Sequence, residues 1–206
     1  MILCEYQPDV YQSLGDVEEV SKQVDNEMIK GLGDIVLMHN HGDDVNVMVA
    51  HRHFDLEENE AMLEEQVGED RIAKPVPLKE IYKKGAYPDL FHCSKDGKWS
   101  PVGFGLDKDV NLAPWSDEAF LQEVGNYLIL NGLNDKLLLA TRASKDVKDQ
   151  GVQLVEYNCE KTRTSKKVPC TREQFDASVP TTYAFKRNAD GSVEEGCLHA
   201  CFCKNE

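Results

Sequence analysis

Four of the six histidines fall inside a fifteen-residue window, as His39-Asn40-His41 and His51-Arg52-His53. Imidazole is the commonest metal ligand and titrates closest to neutral pH, so these pairs mark where chemistry is expected. In a strand, residues two apart face one side, which sets His51 and His53 on a common face with Cα atoms roughly 6.6 Å apart. Both rings can then reach one ion. Glu57, four residues beyond His53, offers a carboxylate to the same shell, and Arg52 falls on the opposite face. The expected chemistry is that of a divalent metal ion on His51, His53 and Glu57, serving a metal-dependent enzyme for a small molecule. The alternative is a non-enzymatic ligand-binding or interaction module whose histidines hydrogen-bond across a sheet.

The first pair is placed by the same alternation on a strand at 34–41, joined to a strand at 45–54 through Gly42-Asp43-Asp44. That hairpin sets His39 opposite Val47, roughly 13 Å short of His51, so one ion cannot take both pairs. A hydrogen-bonding role at the hairpin end is expected for His39 and His41. The letters His-Asn-His do not signal an HNH nuclease, whose motif joins separated residues. Near the C-terminus, Cys197, His199, Cys201 and Cys203 alternate along one strand face. Six residues of strand hold Cys197 and Cys203 roughly 20 Å apart, too far for one zinc. Buried thiols packing a sheet are expected there, and the alternative is a cysteine-dependent hydrolase or transferase using Cys201 or a neighbour with His199.

The spacing His51-Arg-His53-Phe-Asp-Leu-Glu57 resembles the first metal motif of the cupin superfamily, which implies two His and a Glu on a divalent metal. Gly85-Ala-Tyr-Pro88-Asp-Leu-Phe-His92 resembles the second cupin motif and implies His92 as a further histidine at the site. The surroundings depart from that pattern: residues 45–50 hold no glycine, and Pro88 stands one residue too close to His92. His53-Phe-Asp55 is also similar to the HxD of iron(II) and 2-oxoglutarate dioxygenases, with His92 or His199 as the distal ligand. No Arg follows either histidine at short range. Residues 47–60 are similar to a segment of uncharacterised, mainly fungal proteins in which an apolar strand ends in HRHF, followed by a Leu and a nearby Glu. That resemblance joins His51, His53, Phe54 and Glu60 as a unit and implies no reaction. It leaves Glu57 and Glu60 both open as the carboxylate, so Glu60 and His92 stand as candidate catalytic groups.

The elements that must position these residues read as follows. An amphipathic helix starts at Asp16, with Val17, Val20, Val24, Met28 and Ile29 at helical spacing and Gly31 and Gly33 as its stop. After the hairpin, 61–67 reads as strand or helical turn, Pro75 and Pro77 interrupt, and 99–104 is a short strand. A second amphipathic helix spans 116–131, capped by Ser116 and ended by Gly132. Strands follow at 137–141, 152–158, 163–168, 181–187 and 193–202, with a turn at 188–191 and a short helix at 171–177. This mixture predicts one α+β domain over residues 1–206, with a largely antiparallel sheet and two main helices.

Composition narrows the partners. Lys and Arg total 23 against 37 Asp and Glu, and the net charge of −14 repels phosphate backbones and anionic lipid headgroups. No nucleic-acid or membrane partner is expected. The basic run 161–167 has no interleaved aromatic and reads as a solvated hairpin. Residues 1–8 lack a basic region before an apolar run, and no apolar stretch approaches the ~20 residues of a membrane span, so a cytoplasmic protein is expected. Seven cysteines without a repeated spacing read as thiols rather than a disulfide framework. Gly31-Leu-Gly33 does not make a phosphate loop, which disfavours nucleotide cofactors.

Overall fold

Both faces of the strand Val45–Val49 (β1) are buried, and so are both faces of Trp99–Gly105 (β5). A strand buried on both sides needs a covered outer face and a filled inner one. The computed structural model, which describes residues 4–68, 70–107, 109–142 and 153–202, supplies both through a closed barrel of ten strands. The others are Glu60–Val67 (β2), Asp70–Pro77 (β3), Tyr87–Cys93 (β4), Leu137–Thr141 (β6), Leu154–Cys159 (β7), Thr164–Pro169 (β8), Val179–Arg187 (β9) and Val193–Phe202 (β10). Their order around the wall is β1-β6-β4-β5-β2-β3-β8-β7-β10-β9. Pairing is antiparallel except at β2–β5 and β7–β10. The ring closes where β1, paired with β6 along its whole length, also bonds β9 through Val47–Tyr183 and Met48–Thr182.

The barrel overturns the expected α+β class. Helices are accessory to it: Asn26–Met38 (α3) and Glu118–Leu130 (α5) lie on its outside. Val45, Val47 and Val49 point outward into a core shared with Leu32, Val36, Leu121 and Leu128, while Asn46 and Met48 point into the lumen. A second apolar cluster fills one end of the interior. There Met48, Met62, Val102 and Leu138 meet Tyr11 and Leu14, carried by Pro8–Gln12 (α1) and the residues just after it. Leu78–Lys84 (α4) covers Ala61, Leu63 and Phe104 from outside.

The region around the first histidine pair differs most from expectation. The helix beginning at Asp16 stops after Val17–Ser21 (α2), and Asp25 caps a new start by accepting the Met28 N–H at 2.8 Å. Residues 34–38 continue α3 instead of forming a strand, so there is no hairpin at 34–54. Gly31 and Gly33 lie inside α3. A Cβ on Gly33 would meet Phe185 at 2.3 Å and one on Gly31 would meet the Tyr127 hydroxyl at 2.3 Å, so these glycines let a strand and a helix approach rather than ending the helix. α5 is capped by Asp117, which accepts the Phe120 N–H at 3.0 Å, one residue later than expected.

Candidate metal centre

β1 ends at Val49, so His51 and His53 sit beyond the strand and strand alternation does not align them. The backbone fixes them instead. Ala50 N–H donates to the Lys136 carbonyl, Arg52 N–H to that of Gly15, and His53 N–H to the Tyr11 hydroxyl at 3.2 Å. This lays the segment across the end of the barrel that α1 covers. The two rings stand perpendicular, with centroids 4.7 Å apart.

His51 is buried, and its Nδ1 lies 2.8 Å from the Val49 carbonyl oxygen. A carbonyl only accepts, so Nδ1 carries the hydrogen and Nε2 is left with its lone pair. That Nε2 is buried with no hydrogen-bond partner among the described residues. A backbone carbonyl on one imidazole nitrogen is the usual means of aiming the other at a metal. Burial, reinforced by His53, lowers the His51 pKa to about 4, so at neutral pH the ring is the uncharged form a metal requires.

Two further donors arrive from the far end of the sequence. Glu156 on β7 and Cys201 on β10 are direct partners across the parallel pair. One ligand atom each from His51, His53, Glu156 and Cys201 lie within 4.8 Å of one another. Ligands of a tetrahedral ion bound at ~2.0–2.3 Å stand roughly 3.3–3.8 Å apart, so contraction of about 1 Å completes the shell. Glu156 accepts from the Ser165 hydroxyl at 2.5 Å and lies 3.3 Å from His53 Nε2. Burial would raise its pKa, but His53 and Lys167 overcome that and hold the carboxylate well below its ordinary range. These residues could hold a metal ion.

The site borders a lumen cavity of about 90 Å³, lined by His51, His53, Glu156 and His199. The adjoining wall is charged, with Lys167 the cross-strand partner of Glu156. Glu64 takes Lys167 Nζ at 2.5 Å and Arg71 Nη1 at 3.1 Å, and Arg71 Nη2 reaches Asp107 at 3.1 Å. Burial would raise the Glu64 pKa, yet Lys167 and Arg71 hold it at about 2. The run 161–167 is therefore not wholly solvated, because Lys167 turns inward. On the outer side, His53 also lines a cleft with Arg52, Asp55 and Arg163. His53 thus borders both spaces.

The remaining candidates fall elsewhere. Glu57 is exposed, and its backbone N–H donates to the Glu60 carboxylate at 2.9 Å. Glu60 is bound by Arg163 at 2.7 Å, whose hydrogen bond lowers its pKa. Asp55 pairs with Arg52. His92, on β4, lies 3.6 Å from Asp135, and burial lowers its pKa. Neither Glu57, Glu60, Asp55 nor His92 belongs to the four-residue group. His39 and His41 flank the C-terminal end of α3 and contact Asp117, with Glu123 at 2.9 Å from His39. In β10 the register shifts on both sides of His199, so Cys197 and Cys201 do not share a simple alternating face. Cys197 is buried enough to push its thiol up to about 11, and Cys203 lies outside the described residues. Glu156 and Cys201 were not identifiable as partners of the histidines from spacing; only the β7–β10 pairing joins them.

No family model matches the chain, and no curated protein or solved structure does so either. Among the described residues, no helix is long and apolar enough to cross a membrane.

Proposed function

We propose that the protein holds a divalent transition-metal ion on His51, His53, Glu156 and Cys201, and that the ion serves chemistry on a small molecule admitted to the lumen. The observation that carries this reading is His51 Nε2, a buried lone pair aimed by the Val49 carbonyl and left without a partner among the described residues. An orphaned buried acceptor costs roughly 1–3 kcal/mol, and a metal ion removes that cost. Two imidazoles, a carboxylate and a thiolate form a borderline donor set that favours zinc over magnesium or calcium. Four protein donors saturate a tetrahedral ion and make a structural centre; five-coordination, or a donor that yields its place, opens the ion to the lumen.

Elemental analysis of untagged protein tests the reading, and one metal per chain is expected. His51→Ala with His53→Ala should abolish it. Protein that stays metal-free when zinc is supplied, or a double variant that keeps stoichiometric metal, would refute the assignment.

A further inference from the structure

β4 carries a bulge that nothing in the metal centre requires. Its pairing with β5 runs Pro88–Phe104 and then Leu90–Gly103, so Asp89 is an extra residue in the ladder. A bulge re-aims a side chain, and here both Asp89 and Leu90 face the lumen while Phe91 returns to the outer core. The opposite strand leaves room for the carboxyl. A Cβ on Gly103 would stand 3.2 Å from Asp89 Oδ1, and one on Gly105 would stand 2.9 Å from Oδ2. The Thr141 hydroxyl donates to the Asp89 carbonyl at 3.3 Å and secures the bulge.

Asp89 Oδ1 is buried and has no hydrogen-bond partner among the described residues, and Asn46 Oδ1 is in the same condition. The two belong to one row across the wall: Asn46 pairs with Ala140, and Ala140 with Leu90, the neighbour of Asp89. Both orphans accept hydrogen bonds. The cations of this wall are already engaged, Lys167 by Glu64 and Arg71 by Glu64 and Asp107. An anionic ligand would have to displace those carboxylates, whereas a cation breaks no ion pair and displaces only the proton held by Asp89. Met48, Met62 and Leu90 add apolar wall for a short hydrocarbon body.

We propose that the lumen contains a metal-independent subsite for a small primary amine, whose ammonium group is received by Asp89 with Asn46 as a second acceptor. This deepens the reading of the lumen as a small-molecule site and rests on that part of it, not on the ion. The cavity of about 90 Å³ limits the ligand to a few non-hydrogen atoms. Burial and the facing Glu64 raise the Asp89 pKa to about 8 against the opposing pull of Lys167 and Arg71. Tyr87, on the same strand, also lies in its field. An arriving ammonium replaces the proton that neutralises this carboxyl.

The test is an NMR shift titration of the chelator-treated full chain with propylamine and with propan-1-ol, which differ in charge but hardly in shape. Propylamine should bind at least about tenfold tighter, the factor expected of a hydrogen bond between charged groups. Asp89→Asn should remove that preference, and Gly105→Ala, which crowds the carboxyl, should weaken it. Equal affinities for amine and alcohol in wild-type protein, an undiminished preference in Asp89→Asn, or no saturable amine binding would each overturn the proposal. Because the protein is stripped of metal, a failed metal assignment leaves the result standing, and a failed amine titration leaves the metal assignment standing.

Discussion

Glu156 and Cys201 face one another across the parallel pair β7–β10, and each brings a ligand atom to within 4.8 Å of those of His51 and His53. Removing either should weaken metal binding more than loss of an outer hydrogen-bond partner, which costs 10–100-fold; about 100-fold or more is expected for Cys201→Ser and Glu156→Gln. Competition with a chromogenic chelator measures this. Cobalt loading adds a second readout, because the thiolate-to-cobalt absorption should vanish in Cys201→Ser and persist in Glu156→Gln. Unchanged affinity in both variants would remove β7 and β10 from the centre.

Lys167 and Glu64 are partners with only 14% and 18% of their side chains exposed, so their contribution is asymmetric. Lys167→Met leaves the Glu64 carboxylate short of a cation and should cost about 3–5 kcal/mol. For a chain of this size that lowers Tm by roughly 6–20 °C, at about 2–4 °C per kcal/mol. Lys167→Met combined with Glu64→Gln should recover part of the loss, because the Glu64 charge is gone while Glu156 keeps His53 as its partner. Thermal melts of the single and double variants check this. A single variant that melts with wild type would mean that Arg71 alone satisfies Glu64.

Local patterning made much of the C-terminal half legible. Residues 181–187 and 193–202 with the turn at 188–191 reappear as β9 and β10, and 137–141 as β6. Closure was not legible, since it depends on β1 bonding β9 some 135 residues away, Val47 to Tyr183. No local period carries that information. The histidine pair at 51 and 53 could be identified by residue type alone, but its carboxylate and thiol partners depend on the same non-local pairing. Glu57 is close in sequence and turns to solvent. At 34–41 the error was one of meaning: glycine ends helices often enough that Gly31 and Gly33 read as a stop, while their packing role shows only beside Tyr127 and Phe185.

That packing role gives a sharp test. In an exposed helix, Gly→Ala gains ~1 kcal/mol of helix propensity. Gly33→Ala instead places a Cβ 2.3 Å from the Phe185 ring, and overpacking of this kind costs typically ~1–3 kcal/mol. The variant should therefore melt lower than wild type, and adding Phe185→Leu should reverse the sign of the Gly33→Ala effect. A stabilising Gly33→Ala in the wild-type background would show that α3 is not held against β9 at this point.

Asp89 sets a pH dependence opposite to that of Glu64 and Glu156. Its pKa is raised from 3.8 to about 8, chiefly by burial and then by Glu64. Between those values the unfolded chain has lost the proton that the folded chain keeps. Folding stability therefore falls as pH rises through this window, by at most about 1.4 kcal/mol per pH unit from this group. Glu64, held at about 2, acts the other way: its contribution is present above pH 4.5 and is lost as pH falls toward 2. Below pH 6.5, His51, lowered to about 4, adds a further loss as the unfolded chain takes up a proton that the buried ring refuses. Asp89→Asn removes only the first term, so in ligand-free protein it should raise Tm at pH 8 and change it little at pH 4. Calorimetric melts of both proteins across pH 4–8 decide the matter, since profiles that run parallel would mean Asp89 ionises normally in the folded barrel.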